Sequence, residues 1–121
     1  MIKLSEEAKK AIGEIHPAYV ATADGSGKPN VSAKGSLRVL DDEHVIFADV
    51  NSPRTLANIQ KNPQVSIICL DAAQHRSCRI WGNAEVITSG PLLEQVGKEL
   101  AARKIDVKSV IKVAVDEVEV S

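Results

Sequence analysis

Six separate stretches of this chain carry the short apolar or alternating pattern of β-strands, and only three carry the spacing of helices. They read as Tyr19–Ala23, Asn30–Val39, Val45–Val50, Val65–Leu70, Cys78–Ile87 and Lys108–Val120. Tight-turn residues separate most of them: Asp24-Gly25-Ser26-Gly27-Lys28-Pro29 closes the first hairpin and Asp41-Asp42-Glu43 the second. Consecutive strands joined this way pair antiparallel. Three helices are too few to cover both faces of a parallel sheet, so the expectation is a mainly β chain curled into a small six-stranded antiparallel barrel.

The helices are legible from their ends. Ser5 is placed to cap a first helix running to Ile15, with Glu6 and Glu7 at its positive end and Ala8, Ile12 and Ile15 on one face. His16-Pro17 stops it. A second helix runs from Ser52 to Lys61, with Ser52 as the expected cap, Pro53 in the first turn and Asn62-Pro63 as the stop. A third follows Gly90-Pro91, from Leu92 to Lys104, with Leu93, Val96 and Leu100 as its apolar stripe. Within the second strand, Gly35 is expected to mark a bulge or a close backbone approach.

At 121 residues the chain is a single domain, residues 1–121. A net charge of −1, and only Tyr19, Phe47 and Trp81 as aromatics, provide neither the field nor the stacking platform of a nucleic-acid binder. The N-terminus turns acidic at Glu6 before any apolar run suited to a leader, and no run approaches a membrane span, so a cytoplasmic protein is expected. His16, His44 and His75 share no metal-ligand spacing. Cys69 and Cys78 fall opposite each other if their loop is symmetric about residues 73 and 74. A cross-strand disulfide and a pair of packed thiols both fit that placement, and a reducing compartment favours the thiols.

The stretch with the most chemical content is Asn51-Ser52-Pro53-Arg54-Thr55, where the third strand gives way to the second helix. Free N–H groups, the positive end of the helix dipole, a guanidinium and a hydroxyl meet in one turn, as an anion site requires. Taken alone, the same residues also suit a helix start that binds nothing. On the second strand, Ser32 and Lys34 share one face.

The order of these pieces resembles the pyridoxamine-phosphate-oxidase-like, FMN-binding split β-barrel family, particularly its short members. The resemblance rests on Ala21-Thr22-Ala23-Asp24-Gly25 and Gly27-Lys28-Pro29-Asn30-Val31-Ser32 in the first hairpin. It continues through Ser52-Pro53-Arg54-Thr55-Leu56 with Asn62-Pro63, and Arg79-Ile80-Trp81-Gly82-Asn83-Ala84-Glu85 on the fifth strand. It covers almost the whole chain and implies a split barrel that forms a homodimer with FMN between subunits. Carried onto this sequence, Arg54 and Thr55 match the phosphate ligands, and Ser32, Ala33 and Lys34 match the segment beside the ribityl phosphate and ring. Asp49, Val50 and Asn51 match the strand end along the isoalloxazine, with Val50 and Val31 expected to cover the ring.

Two departures from that family bear on activity. The chain stops at Val118-Glu119-Val120-Ser121, without the Arg-rich C-terminal extension of the oxidases, and on the second strand only Lys34 is basic before Arg38, where those enzymes have paired Arg and Lys residues. Vitamin B6 oxidation is therefore not expected. No Ser/His/Asp, Cys/His or paired-carboxylate arrangement stands out, so no side chain is assigned as catalytic. That suits a flavin enzyme, in which the ring performs the redox step on a small molecule. A flavin-binding electron carrier or storage protein, a deazaflavin-dependent reductase and, least of all, a haem protein remain the alternatives.

Overall fold

The computed structural model describes all residues from Met1 to Ser121. The elements in chain order are α1 (Glu6–Glu14), β1 (Ala18–Ala23), β2 (Pro29–Lys34), β3 (Arg38–Asp41), β4 (His44–Asp49) and α2 (Pro53–Lys61). They continue with β5 (Gln64–Asp71), β6 (Arg76–Ile87), α3 (Pro91–Ala101) and β7 (Ser109–Val120). All seven strands form one antiparallel sheet in the order β2-β1-β5-β6-β7-β4-β3.

The sheet has seven strands, not six, because the expected second strand is two. Gly35, Ser36 and Leu37 interrupt it, Ser36 Oγ accepts a hydrogen bond from the Ala48 amide at 2.9 Å, and the Leu37 side chain turns into the core. Gly35 lies outside both strands, so it is no bulge, and a Cβ there would meet nothing within 4 Å, so it is no close approach. The consequence is topological. β2 and β3 are the two edges of the sheet, yet the link of three residues can span at most about 14 Å, so the sheet must curl until its edges are neighbours. That seam is the split of the barrel.

The interior holds Val20, Phe47, Ile67, Ile80, Val113 and Val115; α1 inserts Ala8 and Ile12 among them, and Leu4, just before its cap, joins them. Ser5 caps α1 as expected, its Oγ accepting from the Ala8 amide at 3.1 Å. A second, smaller cluster lies outside: α3 lays Val96 on Ile46, Ala48 and Val110. β4 is therefore buried on both faces. The third helix is shorter than expected and ends at Ala101, followed by a turn in which Lys104 has φ of 60°. Cys69 and Cys78 are direct partners across β5 and β6, both free and buried, and burial pushes each thiol up to about 11. No helix is long and apolar enough to cross a membrane.

β6 and β7 pair along nearly their whole length, with a register shift between Trp81 and Gly82. At that point the backbones approach so closely that a Cβ on Gly82 would lie 2.3 Å from the Ala114 carbonyl oxygen. Gly82→Ala is accordingly expected to destabilise the protein by more than about 2 kcal/mol. Gly97→Ala, in α3 with open space around it, should stabilise by up to about 1 kcal/mol. Urea denaturation of the two variants measures both.

Candidate cofactor site

The corner between β4 and α2 is held by Asp49, which is buried. Its Oδ1 accepts from the Ser52 amide at 3.2 Å, its Oδ2 from Ser109 Oγ at 3.2 Å, and its carbonyl oxygen from the Lys108 amide at 3.0 Å. The Asp49 carboxylate thus faces the turn that it shapes. α2 begins with the Leu56 amide donating to the Ser52 carbonyl at 3.0 Å, with Pro53 in the first turn. The Arg54 and Thr55 N–H groups precede that first helical bond and have no carbonyl of the helix to bind.

Ser52 stands at the cap position, but its side chain makes no capping bond. Its hydroxyl instead accepts a hydrogen bond from Lys34 Nζ, reaching across from β2. The expected cap loses to a buried ammonium because a charged donor gains more from a hydroxyl than a backbone amide does. Strand alternation places Asn30, Ser32 and Lys34 on the same face of β2. Ser32 Oγ and Thr55 Oγ1 are hydrogen-bonded at 3.0 Å, and Asn30 Nδ2 donates to Thr55 Oγ1 at 3.4 Å. These contacts make a polar strip two residues wide, β2 on one side and the start of α2 on the other.

Each end of the strip opens into a cavity. At the Lys34 end, a groove of about 330 Å³ is lined by Ala33, Lys34, Val50, Asn51 and Ser52 together with Arg103 from the turn after α3. Two cations line it and no carboxylate. At the other end, a pocket of about 250 Å³ is lined by Asp24, Lys28, Pro29, Asn30, Arg54 and Asn58. Asp24 is engaged in its own turn, accepting from the Ser26 amide and hydroxyl and from the Lys28 amide at 2.8 to 3.0 Å. Those bonds, that of the Ser26 hydroxyl first, hold its carboxyl below the usual carboxylate range. Asn58 donates to Thr22 Oγ1 at 3.0 Å. The side-chain charges lining this pocket without a partner are therefore Lys28 and Arg54.

The candidate residues are thus sorted rather than gathered at one point. Ser32 and Thr55 form the middle of the strip, Ala33, Lys34, Val50 and Asn51 line one cavity, Arg54 lines the other, and Asp49 braces the corner. Val31 does not join them. It lies on the opposite face of β2 and is 65% exposed, so it does not cover the groove. Lys28, Asn30, Asn58 and Arg103 were not among the expected site residues. The alternation that pairs Ser32 with Lys34 also includes Asn30, whereas nothing local in the sequence places Arg103.

Residues 4–121 match the family model described as pyridoxamine 5'-phosphate oxidase. The chain belongs to this family. Its relatives include the uncharacterized protein MJ0282 of Methanocaldococcus jannaschii, 34% identical over 110 residues, which are 89% of this chain and 72% of that protein. A variant of HupZ from Group A Streptococcus superposes with a TM-score of 0.88 at 31% identity, over 100% of each chain. An FMN-binding protein from Syntrophomonas wolfei shares the fold with a TM-score of 0.84 at 15% identity, over 95% of this chain and 84% of that one.

In this member of the oxidase family, Lys34 is the most constrained charge. It is 7% exposed, its ammonium lies 5.8 Å from the centre of the Phe47 ring, and burial lowers its pKa from 10.5 while the nearby Asp49 charge acts in the opposite direction. The folded chain releases this proton at lower pH than the unfolded chain does. Below the folded value Lys34 is charged in both states and its burial weakens the fold; as pH rises from there toward 10.5 the unfolded state binds more protons and the penalty is relieved. Wild type is expected to gain stability relative to Lys34→Met over that alkaline window. Urea denaturation at neutral and alkaline pH checks this, and parallel pH dependences for the two proteins would contradict it.

Proposed function

We propose that this protein binds FMN along the β2–α2 strip and works as a flavin-dependent oxidoreductase on a small molecule. The observation that carries the reading is the chemical gradient along the strip. The pocket at one end offers Lys28, Arg54 and Asn30, with the Asp24 carboxylate taken up by its own turn, Asn58 donating to Thr22, and no apolar side chain except Pro29. That suits a phosphate dianion. Hydroxyls occupy the middle at Ser32 and Thr55, where a ribityl chain has hydroxyls of its own to pair. The groove at the other end mixes Ala33, Val50 and Ile105 with Lys34 and Asn51, as a flat ring with an apolar face and a polar edge requires. The family and the FMN-binding protein of the same fold support the choice of ligand.

Bound there, FMN supplies the electron-accepting ring; the chain supplies the anchor, the orientation and the charge near the ring. Lys34, held by Ser52, presents a fixed cation in the ring groove. The groove does not end at the ring. It runs on into a second cleft under α3, with which it shares Gly35, Ser36, Ala48, Leu100 and Arg103. An open cavity beside the ring favours an enzyme over a carrier. A deazaflavin, which also carries a phosphate, is the second reading, and the absorbance spectrum of the reconstituted protein separates the two.

The same reading pairs two chains. Tyr19, Val31 and Leu70 lie on one outer face of β1, β2 and β5 and remain 41%, 65% and 51% exposed, an apolar surface of the kind that homodimers cover. Sedimentation is expected to give about twice the chain mass of 13.0 kDa. Arg54→Ala is expected to weaken FMN binding roughly ten- to a hundredfold, the equivalent of one charge-assisted hydrogen bond. Because Arg54 is exposed at the surface, stability should be unaffected. Flavin fluorescence titration with unchanged affinity would remove Arg54 from the site.

A further inference from the structure

The cleft under α3 has a chemistry of its own. It encloses about 280 Å³ between the β2–β3 link, β4 and α3, which is small beside the usual range for ligand cavities. Its apolar wall is formed by Leu37, Ile46, Phe47 and Val96. Three ionic groups and one imidazole face it: Arg38, Arg103, Glu99 and His16. Glu99 is already engaged, accepting from Arg38 Nη2 at 3.2 Å and from Gln95 Nε2 at 3.3 Å. The His16 ring nitrogen Nε2 is taken up by the Gly13 carbonyl oxygen at 3.1 Å. Arg103 has no carboxylate partner, and it lines both this cleft and the ring groove.

The balance of charge is decided by that one arginine. Arg38 and Glu99 cancel, the ring groove adds Lys34 and no carboxylate, and Arg103 stands at the junction of the two cavities. A cation beside a wall of apolar residues recognises a molecule with an anionic head and an apolar body. A planar guanidinium matches a carboxylate in two parallel hydrogen bonds, which an ammonium cannot do.

The geometry points to a small amphipathic organic acid as the occupant of this cleft, its carboxylate on Arg103 and its alkyl or aryl body against Leu37, Ile46 and Val96. Its role as the redox substrate rests on the flavin reading, because the cleft meets the groove assigned to the ring; its binding does not. Excess positive charge argues against a cationic amine in the same space.

The test is an NMR titration of the 15N-labelled full chain with 4-phenylbutyrate, and with 4-phenylbutylamine as the charge-reversed control. The acid is expected to shift the amides of Ser36, Leu37 and Leu100, and the amine to leave them in place. Arg103→Met, which keeps length and loses charge, should weaken the acid roughly tenfold, with a spectrum otherwise like wild type; Arg103→Lys should recover part of the loss. Equal binding of acid and amine, shifts centred instead on Tyr19 and Leu70, or unchanged affinity in Arg103→Met would each overturn the assignment. FMN titrated separately distinguishes the two proposals. Acid binding without FMN uptake removes the flavin and keeps the acid site, whereas FMN uptake without acid binding does the reverse.

Discussion

The hydrogen bonds that fasten β2 to the first turn of α2 are the constraint from which the site follows. β2 is an edge strand, paired on one side only with β1, and an edge that is free on its other side is the part of a sheet most prone to fray. Ser32 with Thr55, Asn30 with Thr55 and Lys34 with Ser52 fix it against a helix that is itself anchored through Asp49. A neutral bond of this kind contributes about 1 kcal/mol, and a bond to a charge roughly twice that. Their larger effect is positional: they hold a row of polar groups in line between two cavities.

Charge is distributed unevenly along that row. Lys34 is buried, shielded and committed to Ser52, whereas Arg54 and Lys28 are exposed and uncommitted. An exposed cation costs little to leave without a partner, because water solvates it. A buried cation must be positioned by the fold beforehand, and Lys34 is. On the flavin reading, the exposed cations meet the anionic tail of the ligand and the fixed one meets its ring.

Much of the architecture was legible in the sequence because it is written in local patterns. The strand faces, the Ser5 cap, the Pro53 start and the Cys69–Cys78 register all follow from spacing between near neighbours. What was not legible depends on contacts across the fold. Residues 30–39 read as one strand, and only the bond from the Ala48 amide to Ser36 and the inward turn of Leu37 divide it. Ser52 has the composition of a cap, and Lys34, 18 residues earlier, diverts it. Arg103 reaches the cavities only because α3 packs on the outer face of β4, a placement that no stretch of residues near Arg103 encodes.

On the flavin reading, the Arg54 pocket holds the phosphate of the nucleotide and the strip carries the remainder of the molecule. A fluorescence titration comparing FMN with riboflavin, identical except for the phosphate, isolates the contribution of that pocket. Two or more charge-assisted bonds at Arg54 and Lys28 predict that FMN binds at least about a hundredfold more tightly than riboflavin. Equal affinities for the two, or no uptake of either, would contradict the account.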